Sequence, residues 1–139
     1  VTTLLDEVRD EAGVRALGAA LARDARVGDT FLLEGPLGAG KTTLVRAFLG
    51  ALGWTETVRS PTFTLMQLYP TDPPVLHADL YRLSHAEGIG LEDELNSRVS
   101  LIEWPDRLQG LVDPATATQI RLQFAEEGHR RVTVTPPIA

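Results

Sequence analysis

One lysine stands in this 139-residue chain, Lys41, and it falls inside Gly35-Pro36-Leu37-Gly38-Ala39-Gly40-Lys41-Thr42, which fits the phosphate-binding pattern G-x-x-x-x-G-K-[ST]. The other twelve basic side chains are arginine. A planar guanidinium is too broad to reach between two phosphates, whereas an ammonium on a flexible stem is a compact point charge suited to it. Glycines at 35, 38 and 40 let backbone N–H groups converge on phosphate oxygens, and a helix starting at Lys41 turns its positive end toward the same anion. The expected roles follow. Lys41 bridges the β- and γ-phosphates, the Thr42 hydroxyl ligates Mg²⁺, and Thr43 bonds the α-phosphate.

Phosphoryl transfer calls for a further acid at a strand end to orient the metal. Two carboxylates qualify, because each closes a mostly apolar run: Asp79 after Val75-Leu76-His77-Ala78, and Glu103 after Val99-Ser100-Leu101-Ile102. Glu103 is the preferred metal ligand and Asp79 the preferred group for positioning water or metal. Ser60-Pro61-Thr62 lies where nucleotide switches carry a γ-phosphate sensor, so Thr62 is placed to approach the metal or the attacking water; a turn fixed by Pro61 and capped by Ser60 is the other reading. His77 reads as a structural histidine, since no second His or Cys lies at metal-ligand spacing. Trp104 reads as a core aromatic or as an anchor facing a partner.

The elements that must position these groups can be traced along the chain. Val14, Leu17, Leu21 and Ala25, three and four apart within Asp10 to Asp24 and just beyond, predict a helix with one buried face, ended by Gly28-Asp29. Thr30 to Leu33 predicts a buried strand feeding the glycine loop, and Lys41 to Leu52 a helix stopped by Gly53. Strand, loop and helix thus follow in the order the phosphate-binding motif requires. Thr62 to Tyr69, Val75 to Leu80 and Val99 to Glu103 predict further strands, with a polar helix or irregular crossover over Glu87 to Arg98. Gln119 to Phe124 and Arg131 to Val134 alternate about a turn and predict a hairpin, followed by a frayed Pro136-Pro137 tail.

Composition narrows the classes. With 43% hydrophobic residues, 1–139 suits one domain with one core. The absence of cysteine excludes disulfides, iron–sulfur clusters, thiolate zinc and cysteine catalysis. A net charge of −6 argues against broad electrostatic binding to nucleic acid, although an indirect role in RNA metabolism stays open. No long apolar run and no signal-like start are evident, so a cytoplasmic location is expected.

Four blocks in order resemble the TsaE (YjeE) family, bacterial ATPases of tRNA threonylcarbamoyladenosine formation: Glu34 to Thr43, Val58-Arg59-Ser60-Pro61-Thr62-Phe63-Thr64-Leu65, His77-Ala78-Asp79-Leu80-Tyr81-Arg82-Leu83, and Leu101-Ile102-Glu103-Trp104-Pro105-Asp106-Arg107. The resemblance implies an α/β P-loop NTPase fold, a mostly parallel central sheet flanked by helices with a C-terminal antiparallel hairpin. It implies ATP and Mg²⁺ as ligands, and the TsaB–TsaD complex as a partner that ATP hydrolysis resets between catalytic cycles. By position, Lys41 and Thr42 hold phosphates and Mg²⁺, Glu103 joins the metal site, and Asp79 and Thr62 support hydrolysis. The family loop usually reads Gly-Asp-Leu-Gly, whereas Pro36 here removes one N–H, so no phosphate contact can run through that amide.

Residue chemistry sets the expected behaviour. A small domain without an evident arginine finger, Arg59 and Arg82 being the internal candidates, should hydrolyse ATP weakly until a partner completes the site. A small P-loop kinase is the first alternative, although the Ser84 to Arg98 insertion is short and acidic for a lid. A non-hydrolytic switch is the second. Its GTPase form is disfavoured, because an N-K-x-D motif needs a second lysine.

Overall fold

The structure, a computed structural model, describes residues 4–58, 66–81, 90–108 and 110–138. Seven strands form one sheet. β1 (Leu5–Asp10) leads into α1 (Glu11–Asp24), β2 (Thr30–Glu34) into α2 (Lys41–Ala51), and β3 (Met66–Tyr69) and β4 (Val75–Asp79) follow. A short α3 (Leu91–Glu94) precedes β5 (Val99–Glu103), and β6 (Thr118–Phe124) turns back as β7 (His129–Thr135). Their order across the sheet is β1-β7-β6-β2-β5-β4-β3.

The four middle strands, β6, β2, β5 and β4, run parallel, while β1, β7 and β3 pair antiparallel. The sheet is therefore mixed, which corrects the expectation of a mostly parallel one. Connection length is the reason. The links from Phe124 to His129 and from Tyr69 to Val75 are far shorter than the dozen or more residues a parallel crossover needs, so both pairs must fold back. The expected C-terminal hairpin is β6–β7.

Alternation along the buried strands sends Phe31 and Leu33 to one face of the sheet and Leu32 to the other. The first face packs with Val14, Leu17 and Leu21 of α1 and Leu44, Val45, Phe48 and Leu49 of α2. The α1 stripe is the predicted one, and Asp10 caps the helix by accepting from the Gly13 N–H at 2.8 Å. The second face gathers Leu32, Leu76, Ala78 and Ile102 under Leu80, Leu91 and Leu108. With β2, β4 and β5 covered on both faces, their runs are mostly apolar, with His77 in the middle of β4 and Ser100 inside β5 as fully buried polar exceptions. The tail is tied down after the double proline, where the Ile138 N–H donates to the Ala115 carbonyl at 2.7 Å. No helix among the described residues is long and apolar enough to cross a membrane.

Candidate nucleotide site

β2, β4 and β5 are parallel, so Glu34, Asp79 and Glu103 end at one edge of the sheet, where open α/β sheets keep their ligand crevice. The glycine loop leaves β2 at this edge and enters α2 at Lys41. Its tip is a turn in which the Ala39 N–H donates to the Pro36 carbonyl at 3.1 Å, with Gly38 at φ 80°, the left-handed value a type II turn demands of its third residue. Pro36 thus serves the loop through its carbonyl, and the N–H it lacks is not used in that turn. Gly35 is required for another reason: a Cβ there would stand 2.4 Å from the Leu122 carbonyl oxygen of β6. That gap admits only hydrogen.

Asp79 and Glu103 are direct partners across the β4–β5 ladder. With Leu37, Gly38, Gly40, Lys41, Thr42, Thr43 and Trp104 they line a cavity of about 200 Å³. The structure thus brings both candidate acids, the lysine and the two threonines to one place. Gly35 and Pro36 border an adjoining recess with Trp104 and Pro105, and Ala39 is buried beneath the turn. Thr62 lies outside the described residues, as do Arg59, Ser60, Pro61 and Arg82.

Burial governs the charges here. Lys41 is 5% exposed, and loss of water pulls its ammonium pKa down, an effect that Glu103 and Asp79 partly offset. The Asp79 carboxyl is pushed up, first by burial and then by the Glu103 charge; the Tyr81 N–H, His77 and Lys41 oppose the shift. The Tyr81 N–H reaches Asp79 Oδ1 at 3.1 Å. Glu103 is 3% exposed, and its Oε2 lies 2.6 Å from Nε2 of the fully buried His77. His77 Nδ1 meets no partner among the described residues, which favours the tautomer with the proton on Nε2, donated to Glu103. The histidine read as structural is thus bonded to a candidate metal ligand.

Lys41 Nζ donates to the Gly35 carbonyl and lies 4.1 Å from the centre of the Trp104 ring, a cation–π contact. Trp104 adopts φ 60°, a strained value for a bulky residue, and packs on Tyr81 with ring centres 4.7 Å apart. Its backbone N–H bonds the Leu33 carbonyl at 3.2 Å, so the strained residue is anchored to the strand that feeds the loop. Trp104 is half-buried, packs against the second core cluster and covers the lysine.

Two carboxylates and a threonine hydroxyl form an all-oxygen donor set, which fits a hard cation such as Mg²⁺ that takes one or two carboxylates and completes its shell with phosphate and water. Beside this cavity a second one, of about 290 Å³, shares Gly38, Gly40 and Thr43 and is walled by Glu11, Val14, Gly128 and Arg130. Reading the sequence alone overlooked Arg130. The available signal was its place in the Arg130-x-Val132-x-Val134 alternation, which puts an arginine on the core-facing side of β7.

The threonylcarbamoyl adenosine biosynthesis protein TsaE family matches residues 8–132. The chain is 38% identical to a Streptomyces coelicolor tRNA threonylcarbamoyladenosine biosynthesis protein TsaE, over 88% of this chain and 89% of the relative. It is 36% identical to the Bacillus subtilis protein of the same name, over 87% and 78% of the two chains. The crystal structure of Bacillus subtilis YdiB superimposes with a TM-score of 0.81 and 30% identity, covering 98% of this chain and 87% of that one.

Proposed function

The chain belongs to the TsaE family, and on that premise we propose that it is a P-loop ATPase that binds ATP with Mg²⁺ and acts with the TsaB–TsaD complex in tRNA threonylcarbamoyladenosine formation in the cytoplasm. One observation carries the catalytic part: Lys41, Thr42, Asp79 and Glu103, drawn from three separate stretches of chain, converge on a single cavity at the carboxyl edge of parallel strands. A glycine turn alone would not need two carboxylates opposite it.

In this reading the triphosphate lies along Gly38 to Thr43, and the nucleoside extends past Thr43 into the larger neighbouring cavity. Lys41, which donates to the Gly35 carbonyl, would exchange that acceptor for phosphate oxygens. Thr42 and Glu103 would hold Mg²⁺, which when bound would neutralise charge developing on the phosphoryl oxygens. Asp79, with its pKa raised by burial, accepts a hydrogen bond from the attacking water and orients it, with Thr62 assigned to the same task from the sequence. Water attacks the γ-phosphorus, the bond to the β–γ bridging oxygen breaks, and ADP and phosphate leave. The acidic surface suits a protein partner better than tRNA, so the role on tRNA is indirect.

The test is nucleotide binding and phosphate release by the protein and by Lys41→Ala, alone and with TsaB–TsaD, with GTP as control. ATP binding and partner-stimulated phosphate release, both reduced by at least about 100-fold in Lys41→Ala, are expected. Absence of any Lys41-dependent ATP hydrolysis in every mixture would overturn the ATPase reading, and phosphate appearing on an acceptor would replace it with a kinase.

A further inference from the structure

Arg130 lies 89 residues beyond Lys41 on β7, yet its side chain is spent on the glycine loop. Nε donates to the Ala39 carbonyl at 3.1 Å, Nη2 to the Gly38 carbonyl at 3.3 Å, and Nη1 to the carbonyl of its own neighbour His129 at 2.8 Å. The guanidinium also lies over the ring of Phe124, its partner across the hairpin, 4.8 Å from the ring centre. Every guanidinium nitrogen therefore has an acceptor, and the group is held on its face as well. A flat fork with donors at fixed spacing can grip two successive carbonyls at once, which an ammonium cannot do.

In a trans peptide the C=O and the following N–H point in opposite directions. Holding the Gly38 carbonyl therefore sets the Ala39 N–H, which closes the turn onto Pro36. Holding the Ala39 carbonyl likewise turns the Gly40 N–H to the side opposite Arg130, and Gly40 lines the same cavity as Lys41. Gly40 has φ 110° and no side chain to hold it, so without an outside grip that peptide plane has several orientations open to it.

We propose that Arg130 is the positioning residue of the phosphate loop: by fixing the Gly38–Ala39 and Ala39–Gly40 peptide planes from the C-terminal hairpin, it preorganises the Gly40 N–H for a polyphosphate. The inference rests on the nucleotide reading above and assigns the hairpin a part in ligand binding. Preorganised donors cost nothing to arrange when the anion arrives, so their loss appears in affinity before it appears in fold stability.

The experiment compares Arg130→Ala, Arg130→Lys and the control Arg131→Ala, whose arginine instead pairs with Asp6. Two quantities are read: the affinity for ATP and for inorganic tripolyphosphate, and the amide resonance of Gly40 without ligand. Arg130→Ala should weaken both ligands on the order of tenfold and shift or broaden the Gly40 resonance. Added guanidinium should restore affinity in part, Arg130→Lys should fall between, and Arg131→Ala should match the parent. Since guanidinium rescue and an intermediate lysine variant require a folded chain, they separate a positioning role from simple unfolding. Parent-like affinity and an unmoved Gly40 resonance in Arg130→Ala would overturn the inference while leaving the nucleotide reading intact. A parent protein that binds neither ATP nor tripolyphosphate would overturn both.

Discussion

The carboxyl edge of β2, β4 and β5 and the antiparallel flank of β1 and β7 each carry an acid bonded to a nitrogen base, and they use the contact in opposite ways. Glu103 and His77 meet at 2.6 Å with both side chains out of water. Asp6 and Arg131 meet through two hydrogen bonds of 2.9 and 3.0 Å with both side chains largely in water. The difference in distance, 2.6 Å against 2.9 and 3.0 Å, is the lesser one. What separates them is the surrounding medium, because a buried carboxylate has no solvent to fall back on, whereas an exposed one trades a protein partner for water at little cost. The parallel centre concentrates its charges where they can act on a ligand; the flank uses its charges to dress an edge.

Replacing Glu103 by Gln tests the central half most severely. The amide oxygen still accepts from His77, so the fold should persist, but the negative charge opposite Lys41 and Thr42 is gone. ATP hydrolysis should fall on the order of 100-fold or more while ATP affinity changes by less than about threefold, measured by phosphate release and by equilibrium binding. Equal loss of both would make Glu103 a residue of fold rather than of chemistry. Loss of hydrolysis with cellular function retained would favour the switch.

The next largest effect is on stability. His77→Ala removes the donor to a buried carboxylate and should cost about 3 kcal/mol, seen as a fall in Tm of about 10 °C. His77→Gln, which can still donate an amide hydrogen, should recover part of it. A His77→Ala variant as stable as the parent would mean that Glu103 is better hydrated than its 3% exposure implies, and would erase the contrast with Asp6.

Asp79 occupies the boundary between the two regimes, being only half-buried. Its folded pKa is raised, so the ionised form is penalised in the fold; the neutral form's advantage is complete at pH below the unfolded value and lost as pH rises through the folded one. Asp79→Asn should therefore raise stability slightly at pH 7 to 8, by less than about 1 kcal/mol and read as a small rise in Tm, and the gain should vanish in acid. The same variant should lose hydrolysis, a small stability cost borne for activity. A lower Tm at pH 8 would show that the Tyr81 N–H and Lys41 outweigh burial.

How much of this was legible in the sequence differs between the same two regions. Around Lys41 the information is local: the glycine turn, the strand before it and the helix after it are set by residues a few positions apart, and the acids announce themselves by ending apolar runs. At the flank it is not. β1 holds its place mainly through backbone pairing with β7, and Leu5 to Asp10 shows no hydrophobic period because almost none of it is buried. Arg130 reaches the loop across 91 residues, a contact no window of sequence contains. Pairing across the sheet is also what turned an expected structural histidine into the partner of Glu103, since His77 and Glu103 meet only because β4 and β5 lie side by side. Strand direction was recoverable in part, from the shortness of the link between Tyr69 and Val75.

The smallest expected effect completes the contrast. Arg131 holds the Asp6 carboxyl below the usual range, chiefly through the hydrogen bonds between them and then through its charge. A carboxylate with a lowered folded pKa lends stability above its unfolded pKa and loses it as pH falls through the folded value. Asp6→Asn should thus lower Tm at pH 7 by an amount well below that of His77→Ala, with the gap closing below about pH 3 to 4. Because both side chains are exposed, 0.5 M salt should shrink the gap at pH 7, whereas the same salt should leave the His77→Ala loss nearly unchanged. Equal salt sensitivity at the two sites would mean that water reaches His77 and Glu103 after all. In that case Lys41 would also be better hydrated than its burial suggests, and its lowered pKa could no longer be ascribed to the closed edge of the sheet.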